Sequence, residues 1–281
     1  MATGRPIDHV VLAVRDLDQT AAVYERLGFT LTPRAAHEDR MGTSNRIAQF
    51  RGRNFIELLE VDRPDLLQRH AFDAPQPFFS FGDHNRLATQ TRDGLSLLVF
   101  QTDDTRADLS RFAAAGLQTF APFDFERQAQ LPDGTTATVS FSLGFVRSPH
   151  MPRVGFFVCE NRAQHLFWKP EFQQHANGAD VISSVHLASS EPERDAAFIA
   201  AMFDGACTTI SGGMSVACGP GQDVRVLTPH AIAEIDPTYE PPLSAEPILA
   251  GLSVRTSASR PTISSAEGCG MFIAWETAQT E

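Results

Sequence analysis

The sequence contains little cysteine and no long apolar run. Its four cysteines, Cys159, Cys207, Cys218 and Cys269, form neither a C-x-x-C pair nor a zinc-binding spacing. We interpret them as small core residues of a protein in a reducing compartment. No segment approaches the ~20 consecutive apolar residues of a membrane helix, and Arg15 interrupts the first apolar run before a signal peptide is complete. These absences favour a cytoplasmic protein that does not enter a membrane.

Basic residues are also fewer than acidic residues. Lysine and arginine total 23 against 34 aspartates and glutamates, which gives a net charge of −11. Nucleic acids and anionic membranes are bound through basic surfaces, so this balance argues against both as main partners. The sequence also has no G-x-S-x-G elbow, Walker A loop or H-E-x-x-H helix. The expected partner is a small molecule, and a homodimer is compatible with the composition.

The N-terminal segment has the pattern of a strand followed by a short helix. Residues 9–14 are mostly apolar and β-branched, residues 15–18 supply a helix N-cap, and residues 19–27 follow a helical period that stops at Gly28. Three further strands are predicted between Pro, Gly and charged turns, over residues 29–32, 45–50 and 54–61. The segment therefore predicts a βαβββ unit.

The same unit recurs along the chain. Residues 181–203 repeat it at an offset of 175, which aligns Leu12 with Leu187 (187 − 12). A weaker copy begins at residues 96–117, at an offset near 87, with later strands expected over 136–146 and 154–159, and a degenerate one begins at Ile248.

Such units bury their sheet faces in pairs, so we predict an α+β fold of tandem βαβββ modules pairing into cupped mixed sheets. With 281 residues, 42% of them hydrophobic, the chain can form two such domains. We place them at residues 1–178 and 179–281, with the boundary in the polar segment HANGAD, residues 175–180. The cavity inside the first pair is the expected functional site.

Four stretches together resemble a known family. They are IDHVVLAVRDLDQTAAVYERLGF (7–29), GTSN (42–45), FIELL (55–59) and HANGA (175–179). Their combination resembles the glyoxalase-like branch of the vicinal oxygen chelate superfamily, which includes glyoxalases, bleomycin resistance proteins and dioxygenases. The resemblance covers roughly residues 7–180, and the rest only as a repeated module. It implies a cupped sheet that often holds a divalent metal chelating two neighbouring oxygens of a small substrate.

The resemblance also implies a first pair of metal ligands. A histidine on the first strand and a glutamate on the last strand of the first module are ligands in that superfamily, and His9 and Glu57 occupy those positions. Glu57 is also the lone charge in FIELL, and a carboxylate in an apolar strand needs a partner. Imidazole and carboxylate together suit Zn, Mn, Fe or Ni. A His9 satisfied by a backbone carbonyl, and a Glu57 paired with Arg46 or Arg53, are the structural alternatives.

The second module departs from the family pattern. Ser96 stands where an offset of 87 would place the second histidine, and the second glutamate position falls on Phe157 or on Glu160, depending on the alignment. Near it, Glu160, Asn161 and His165 are the candidate donors. The resulting metal-ligand prediction is His9, Glu57, Glu160 and His165. We interpret His186 as a pocket-lining or hydrogen-bonded histidine in a second domain that is free of metal.

Two functions of different classes remain open. The first is a lyase or isomerase in which one divalent metal binds adjacent substrate oxygens and Glu57 or Glu160 moves a proton from the carbon next to a carbonyl. The second is a metal-free protein that sequesters a small apolar or aromatic compound in a phenylalanine-rich cup. The predicted substrate contacts are Asn45, Arg46, Phe157 and Trp168. In a third reading, the second domain acts mainly as a scaffold for the first.

Overall fold

The computed structural model describes residues 4–130, 136–203, 205–242 and 244–277. It is a mixed α+β fold with two sheets, one of nine strands and one of six, each at the centre of one domain. The predicted fold class is confirmed. Within the described ranges, no helix is long and apolar enough to cross a bilayer.

The first two modules build the nine-stranded sheet. The first module comprises β1 (Ile7–Val14), α1 (Leu17–Arg26), β2 (Ala35–Ala36), β3 (Ser44–Gln49) and β4 (Phe55–Glu60). A linking helix α2 (Phe81–Thr89) leads to β5 (Gly94–Gln101), α3 (Thr105–Ala114), β6 (Gln118–Thr119), β7 (Phe123–Gln130), β8 (Thr136–Arg147), β9 (Gly155–Asn161) and α4 (Gln164–Phe167). The strand order is β2-β3-β4-β1-β5-β9-β8-β6, with β7 paired to β8. The modules meet at the central antiparallel pair β1–β5.

The first helix in each of the first two modules is capped as the sequence predicts. The side chain of Asp16 accepts a hydrogen bond from the backbone N–H of Gln19 at 2.8 Å, which satisfies a free donor at the start of α1. Asp104 caps α3 in the same way. The first helix ends at Gly28, which adopts a positive φ of 88° that other residues rarely take.

The second sheet repeats the module once and then degenerates. It comprises β10 (Ala179–Ala188), α5 (Pro192–Ala201), β11 (Cys207–Ile210), β12 (Gly213–Gly219), β13 (Gln222–Leu227), α6 (Pro229–Ile235), β14 (Ile248–Thr256) and β15 (Phe272–Thr277). The strand order is β11-β12-β13-β10-β14-β15. Residues 257–271, all of them described, contain no helix, so the fourth unit keeps two strands and lacks its crossover helix.

The helix-covered faces of the two sheets share one apolar core. Phe100 on β5 contacts Phe203 after α5, with ring centroids 5.0 Å apart, and Phe156 on β9 meets Phe198 on α5 at 5.3 Å. Buried side chains from both sheets join in this core. Burying apolar area of this kind is the main favourable term in folding, so the domains stabilise one another.

Two local predictions differ from the structure. Residues 29–32 form no named strand, because Pro33 cannot donate to a ladder and the chain contacts β3 through Thr32 alone at this point. The polar segment before β10 is docked, since His175 bonds to the backbone of Thr30 and Gln49. The domain boundary at 178 stays a prediction.

Candidate functional site

A cavity of about 250 Å³ lies on the face of the nine-stranded sheet opposite α1 and α3. We call it the first cavity. Seven aromatic side chains line it: Phe55, Phe81, Phe125, Phe141, Phe157, Phe167 and Trp168. Six polar or charged side chains from the first module also line it: Asp8, His9, His37, Asn45, Arg53 and Glu57. The cavity therefore combines apolar walls with a concentrated polar patch, an arrangement suited to small-molecule sites.

Glu57 is the centre of the polar patch. Side chains alternate along β4, so Phe55 and Glu57 face the cavity while Ile56 and Leu58 enter the core beneath the helices. The Glu57 side chain is 6% exposed. Its Oε1 accepts a hydrogen bond from Asn45 Nδ2 at 2.6 Å. Burying a carboxylate is costly unless donors surround it, and Asn45 supplies one of them.

Two histidines approach the two oxygens of this carboxylate. His9 Nε2 lies 3.7 Å from Glu57 Oε2, and His37 Nε2 lies 3.4 Å from Oε1. The alternative pairing of Glu57 with Arg46 or Arg53 does not occur among the ion pairs of the described residues. Glu57 instead accepts a hydrogen bond from the Asn45 amide and lies between the two imidazoles.

The orientation of His9 is fixed by its neighbours. Its Nδ1 lies 2.5 Å from Asp8 Oδ1, so Nδ1 carries the proton donated to Asp8 and Nε2 faces Glu57. The ring stacks on Phe55 with centroids 4.3 Å apart and meets the edge of Phe157 at 5.6 Å. His9 thus has a carboxylate partner and faces the site, and a backbone carbonyl is not what satisfies it.

His37 is a cavity residue that the sequence patterns do not identify. The loop after β2 turns back at Gly42, whose φ is 63°, and the pairing of β2 with β3 brings His37 beside Asn45. His37 Nδ1 lies 2.8 Å from Thr43 Oγ1, and Nε2 lies 3.1 Å from Asn45 Nδ2. Since Asn45 Nδ2 is a donor, His37 Nε2 is the acceptor and Nδ1 carries the proton. The sequence feature that could have indicated this position is Gly42, which marks the turn that brings His37 back beside β3.

Three of the four predicted substrate contacts line the cavity and one does not. Asn45, Phe157 and Trp168 belong to its lining. Arg46 follows Asn45 on β3 and therefore points to the other face, where it bonds to Glu25 at 2.8 Å and to the carbonyl of Thr32. The arginine that lines the cavity is Arg53, whose guanidinium lies 5.6 Å from the Trp168 ring centroid.

Glu160 and His165 lie outside the cavity. Glu160 accepts from the backbone N–H of Thr105 at 3.2 Å and from Arg162 at 2.7 Å, on the α3 side of β9. Burial raises the pKa of Glu160, but the hydrogen bonds from Arg162 and Thr105 outweigh it and leave this pKa below its ordinary value. His165 is exposed on α4. The neighbouring Asn161 and Gln164 line the cavity in their place.

Strand register identifies the second-module counterparts of His9 and Glu57. The N-caps Asp16 and Asp104 are 88 residues apart (104 − 16), so His9 corresponds to Leu97. In the parallel pairs, Val11 lies opposite Glu57 and its counterpart Val99 lies opposite Phe157. Both positions that complete the family's ligand pattern are therefore apolar.

The predicted counterpart Ser96 is off by one residue. A register shift between Val11 and Leu12 in the β1–β5 pair lies at this position. Ser96 Oγ is bonded to Asn85 Oδ1 at 2.6 Å and to the carbonyl of Val11, away from the cavity lining. A one-residue slip moves a strand side chain to the opposite face, and an offset read from sequence alone cannot detect it.

The residues present do not fit a divalent ion. Asn45 joins His37 Nε2 and Glu57 Oε1 through its amide, and Leu97 and Phe157 replace the second pair of ligands. Across the part of the chain that the structure describes, no three His, Cys, Asp or Glu side chains converge to hold a metal. The predicted set of His9, Glu57, Glu160 and His165 is not brought together, so we derive no step through a metal.

Two other residues with reactive side chains, Cys159 in the first cavity and His186 in the second domain, are held in their uncharged forms. Cys159 lines the first cavity, and burial together with the nearby Asp8 and Glu57 carboxylates raises the pKa of its thiol well above the ordinary value. The thiol is therefore protonated and a poor nucleophile. In the second domain, His186 Nε2 lies 2.9 Å from Ser253 Oγ, and burial lowers the pKa of His186 to about 3. It is a buried, neutral, hydrogen-bonded histidine.

Solved structures share this fold at low sequence identity. A hypothetical protein from Staphylococcus aureus matches with a TM-score of 0.73 at 13% identity, covering 97% of this chain and 99% of that one. The Mn(II)-bound glyoxalase from Novosphingobium aromaticivorans matches with a TM-score of 0.54 at 11% identity, covering 99% and 83%. A xylose isomerase-like TIM barrel/4-hydroxyphenylpyruvate dioxygenase fusion protein matches with a TM-score of 0.51 at 14% identity, covering 92% of this chain and 37% of its own length.

The family comparison is more specific than these structural likenesses. No curated protein matches the chain. The model of the glyoxalase-like domain matches residues 7–203, which include both sides of the first cavity and the start of the second domain. The chain therefore belongs to the glyoxalase-like domain family, as the resemblance of its opening strand, GTSN and FIELL stretches predicts.

Proposed function

We propose that the protein is an enzyme that moves a proton on a small, largely aromatic carbonyl compound, in the manner of a lyase or isomerase and without a metal. The observation that carries this proposal is a carboxylate, Glu57, buried in a ring-lined cavity with a histidine facing each of its oxygens. Ionisable groups gathered in a cavity cost folding energy, and active sites are where proteins bear that cost.

Glu57 is the general base in this proposal. Asn45 holds Oε1, whereas no hydrogen bond within the described residues reaches Oε2, so Oε2 is the oxygen available to a substrate C–H. Glu57 takes the proton from the carbon beside the carbonyl, and the C–H electron pair moves into the C–C bond as the carbonyl oxygen becomes an enolate. Returning the proton to another carbon gives an isomerase, and losing a β-substituent gives a lyase. General-base catalysis of this kind contributes ~10²–10⁴-fold.

The other cavity residues hold the substrate in the pose that this step needs. Asp8 fixes the ring of His9, which keeps Nε2 directed at the same space as Glu57 Oε2. Arg53, Asn161 and Gln164 bring N–H donors to the lining, where an enolate oxygen needs them. The phenylalanine walls and Trp168 suit an aromatic body of the substrate.

A metal-free binding protein is the second candidate. Its supporting observation is the pair Leu97 and Phe157, which makes apolar the two positions where the family pattern places ligands. Such a protein would sequester an aromatic compound and return it unchanged. It shares the cavity with the first candidate and differs in having no turnover.

Hydrogen exchange separates the two candidates. The probe is 2-hydroxyacetophenone, an aromatic ketone with adjacent oxygens, incubated with the protein in D₂O while proton NMR follows its α-protons. The enzyme hypothesis predicts accelerated loss of that signal, abolished by Glu57→Gln and retained in Glu25→Gln, whose carboxylate pairs with Arg46 at the surface. Saturable binding without accelerated exchange would favour sequestration.

A further inference from the structure

A second cavity of about 360 Å³ lies at the seam between the two domains, away from the first cavity. Its lining comes from the segment before α2, α2 itself, the start of β5, the end of β8, the loop before β9 and the segment that enters β14. Three arginines line it, namely Arg92, Arg147 and Arg153, and we call it the arginine cavity. The lining thus carries three cations and one carboxylate, that of Glu246. Its local charge is positive, although the net charge of the chain is −11.

Arg92 is the arginine of this cavity that no hydrogen bond or ion pair joins to any of the described residues. Its side chain is half-buried. The adjacent Asp93 is instead paired with Arg15 at 2.8 Å. Burial lowers the pKa of the Arg92 guanidinium, the nearby Tyr239 raises it, and the nearby Arg153 lowers it further. A half-buried cation without an ion pair carries a desolvation cost, and a bound anion would offset that cost.

The other two arginines are held in place around this space. Arg153 is paired with Glu246 at 2.7 Å and bonded to Thr91 Oγ1 at 3.1 Å, which ties the two domains together at the cavity rim. The Arg147 guanidinium lies 4.5 Å from the Phe72 ring centroid. Guanidinium groups fixed in this way present planar forks that match a carboxylate or phosphate.

The remaining lining is apolar or neutral. Burial lowers the pKa values of His70 and His84 to about 4, so both imidazoles are uncharged near neutral pH. His70 Nδ1 accepts from the backbone N–H of Ser80, so its proton is on Nε2. Phe72, Phe79 and Leu95 supply apolar wall. The cavity thus combines a cationic end with an apolar side.

We propose that the arginine cavity is a binding site for a small organic anion, whose carboxylate or phosphate group is held by Arg92 and Arg147 and whose apolar part packs against Phe72 and Phe79. Because its lining joins both domains, the ligand would stabilise their docking. The proposal is independent of the chemistry proposed for the first cavity.

Isothermal titration calorimetry with two probes, inorganic phosphate and benzoate, tests it. We expect saturable binding of at least one probe with one site per chain, weakened about tenfold or more by Arg92→Gln, since hydrogen bonds to charged groups contribute on this scale. The matched control is Arg106→Gln, which removes the same charge from an exposed arginine paired with Asp124. Which probe binds distinguishes a phosphate from a carboxylate ligand.

Two further measurements keep the result interpretable. Without probe, the Tm of Arg92→Gln is expected to be no lower than that of the parent protein, because the substitution removes an unpaired cation. The Tm increase that the probe produces in the parent is expected to be absent in Arg92→Gln. Arg147→Gln is the second variant, and Glu57→Gln is expected to leave the affinity unchanged. The proposal is overturned if neither probe binds saturably, if Arg92→Gln and Arg147→Gln bind as the parent does, or if Glu57→Gln alone abolishes binding.

Discussion

Asn45 Nδ2 donates to Glu57 Oε1 at 2.6 Å and lies 3.1 Å from His37 Nε2, so a single amide joins the buried carboxylate to an imidazole. This arrangement satisfies one oxygen of the buried carboxylate with a protein donor. It also leaves Glu57 Oε2, on the side of His9, as the oxygen directed at the cavity. The relationship between Asn45 and Glu57 is therefore the basis for a metal-independent site.

Removing the amide is expected to destabilise the protein through Glu57. Asn45→Ala leaves a buried carboxylate without its closest donor, which costs about 1–3 kcal/mol in the free energy of unfolding. Urea denaturation of Asn45→Ala, Glu57→Gln and the double variant measures the coupling between the two residues. In the double variant the loss is expected to be smaller than the sum of the two single losses. Additive losses would mean that the bond contributes nothing.

The protein is expected to contain well under one equivalent of metal. The reason is that Leu97 and Phe157 stand where the second pair of ligands would be. Mass spectrometric metal analysis of protein purified without chelators measures it, and His9→Ala is expected to leave the metal content unchanged. One equivalent of Zn, Mn, Fe or Ni in the parent, lost in both His9→Ala and His37→Ala, would restore the metal prediction.

Stability is expected to fall as the pH is lowered from about 6.5 to about 4. The pKa of His84 is lowered to about 4, first by burial, whereas an unfolded histidine titrates near 6.5. Between these values the unfolded state binds more protons, so the free energy of unfolding rises with pH and the contribution is fully present above about 6.5. The shift corresponds to on the order of 3 kcal/mol. His84→Gln, which keeps an N–H for the carbonyl of Ser96, is expected to reduce the loss between pH 7 and pH 5; an unchanged loss would contradict this assignment.

The first domain is expected not to fold alone. The fragment 1–178 would expose Phe100 and Phe156, which pack on Phe203 and Phe198 in the intact chain. Size-exclusion chromatography and thermal unfolding of the fragment are expected to show aggregation or loss of a cooperative transition. A monomeric fragment with cooperative unfolding would instead make the second domain dispensable for folding.

The sequence was sufficient for the module pattern and for half of the site. Capped helices, Gly28 and the repeated strand pattern predict the fold, and the lone charge of Glu57 in an apolar strand identifies its cavity-facing position. Asn45 and Arg46 are both predicted substrate contacts, and strand alternation directs only Asn45 into the cavity. Glu160 and Asn161 are both candidate donors from the sequence, and only Asn161 lines the cavity.

The remaining errors depend on contacts that sequence spacing does not encode. The helix N-caps Asp16 and Asp104 are 88 residues apart (104 − 16), one more than the offset used in the sequence comparison, so Leu97, and not Ser96, is the counterpart of His9. His37 enters the site because the β2–β3 hairpin folds it onto Asn45, although its loop looks polar and exposed in sequence. The position of His37 is set by pairing between separate segments, and in the Ser96 case one residue of offset changes which side chain faces the cavity.

The central claim is that Glu57 moves a proton without a metal. The most direct test is the α-proton exchange of 2-hydroxyacetophenone in D₂O with protein treated with EDTA, with Glu25→Gln as the control for the loss of one carboxylate. We predict that the treated parent and Glu25→Gln accelerate exchange, whereas Glu57→Gln is slower by ~10²–10⁴-fold. Exchange that stops with EDTA and returns on adding one divalent metal, or that persists undiminished in Glu57→Gln, would contradict the claim.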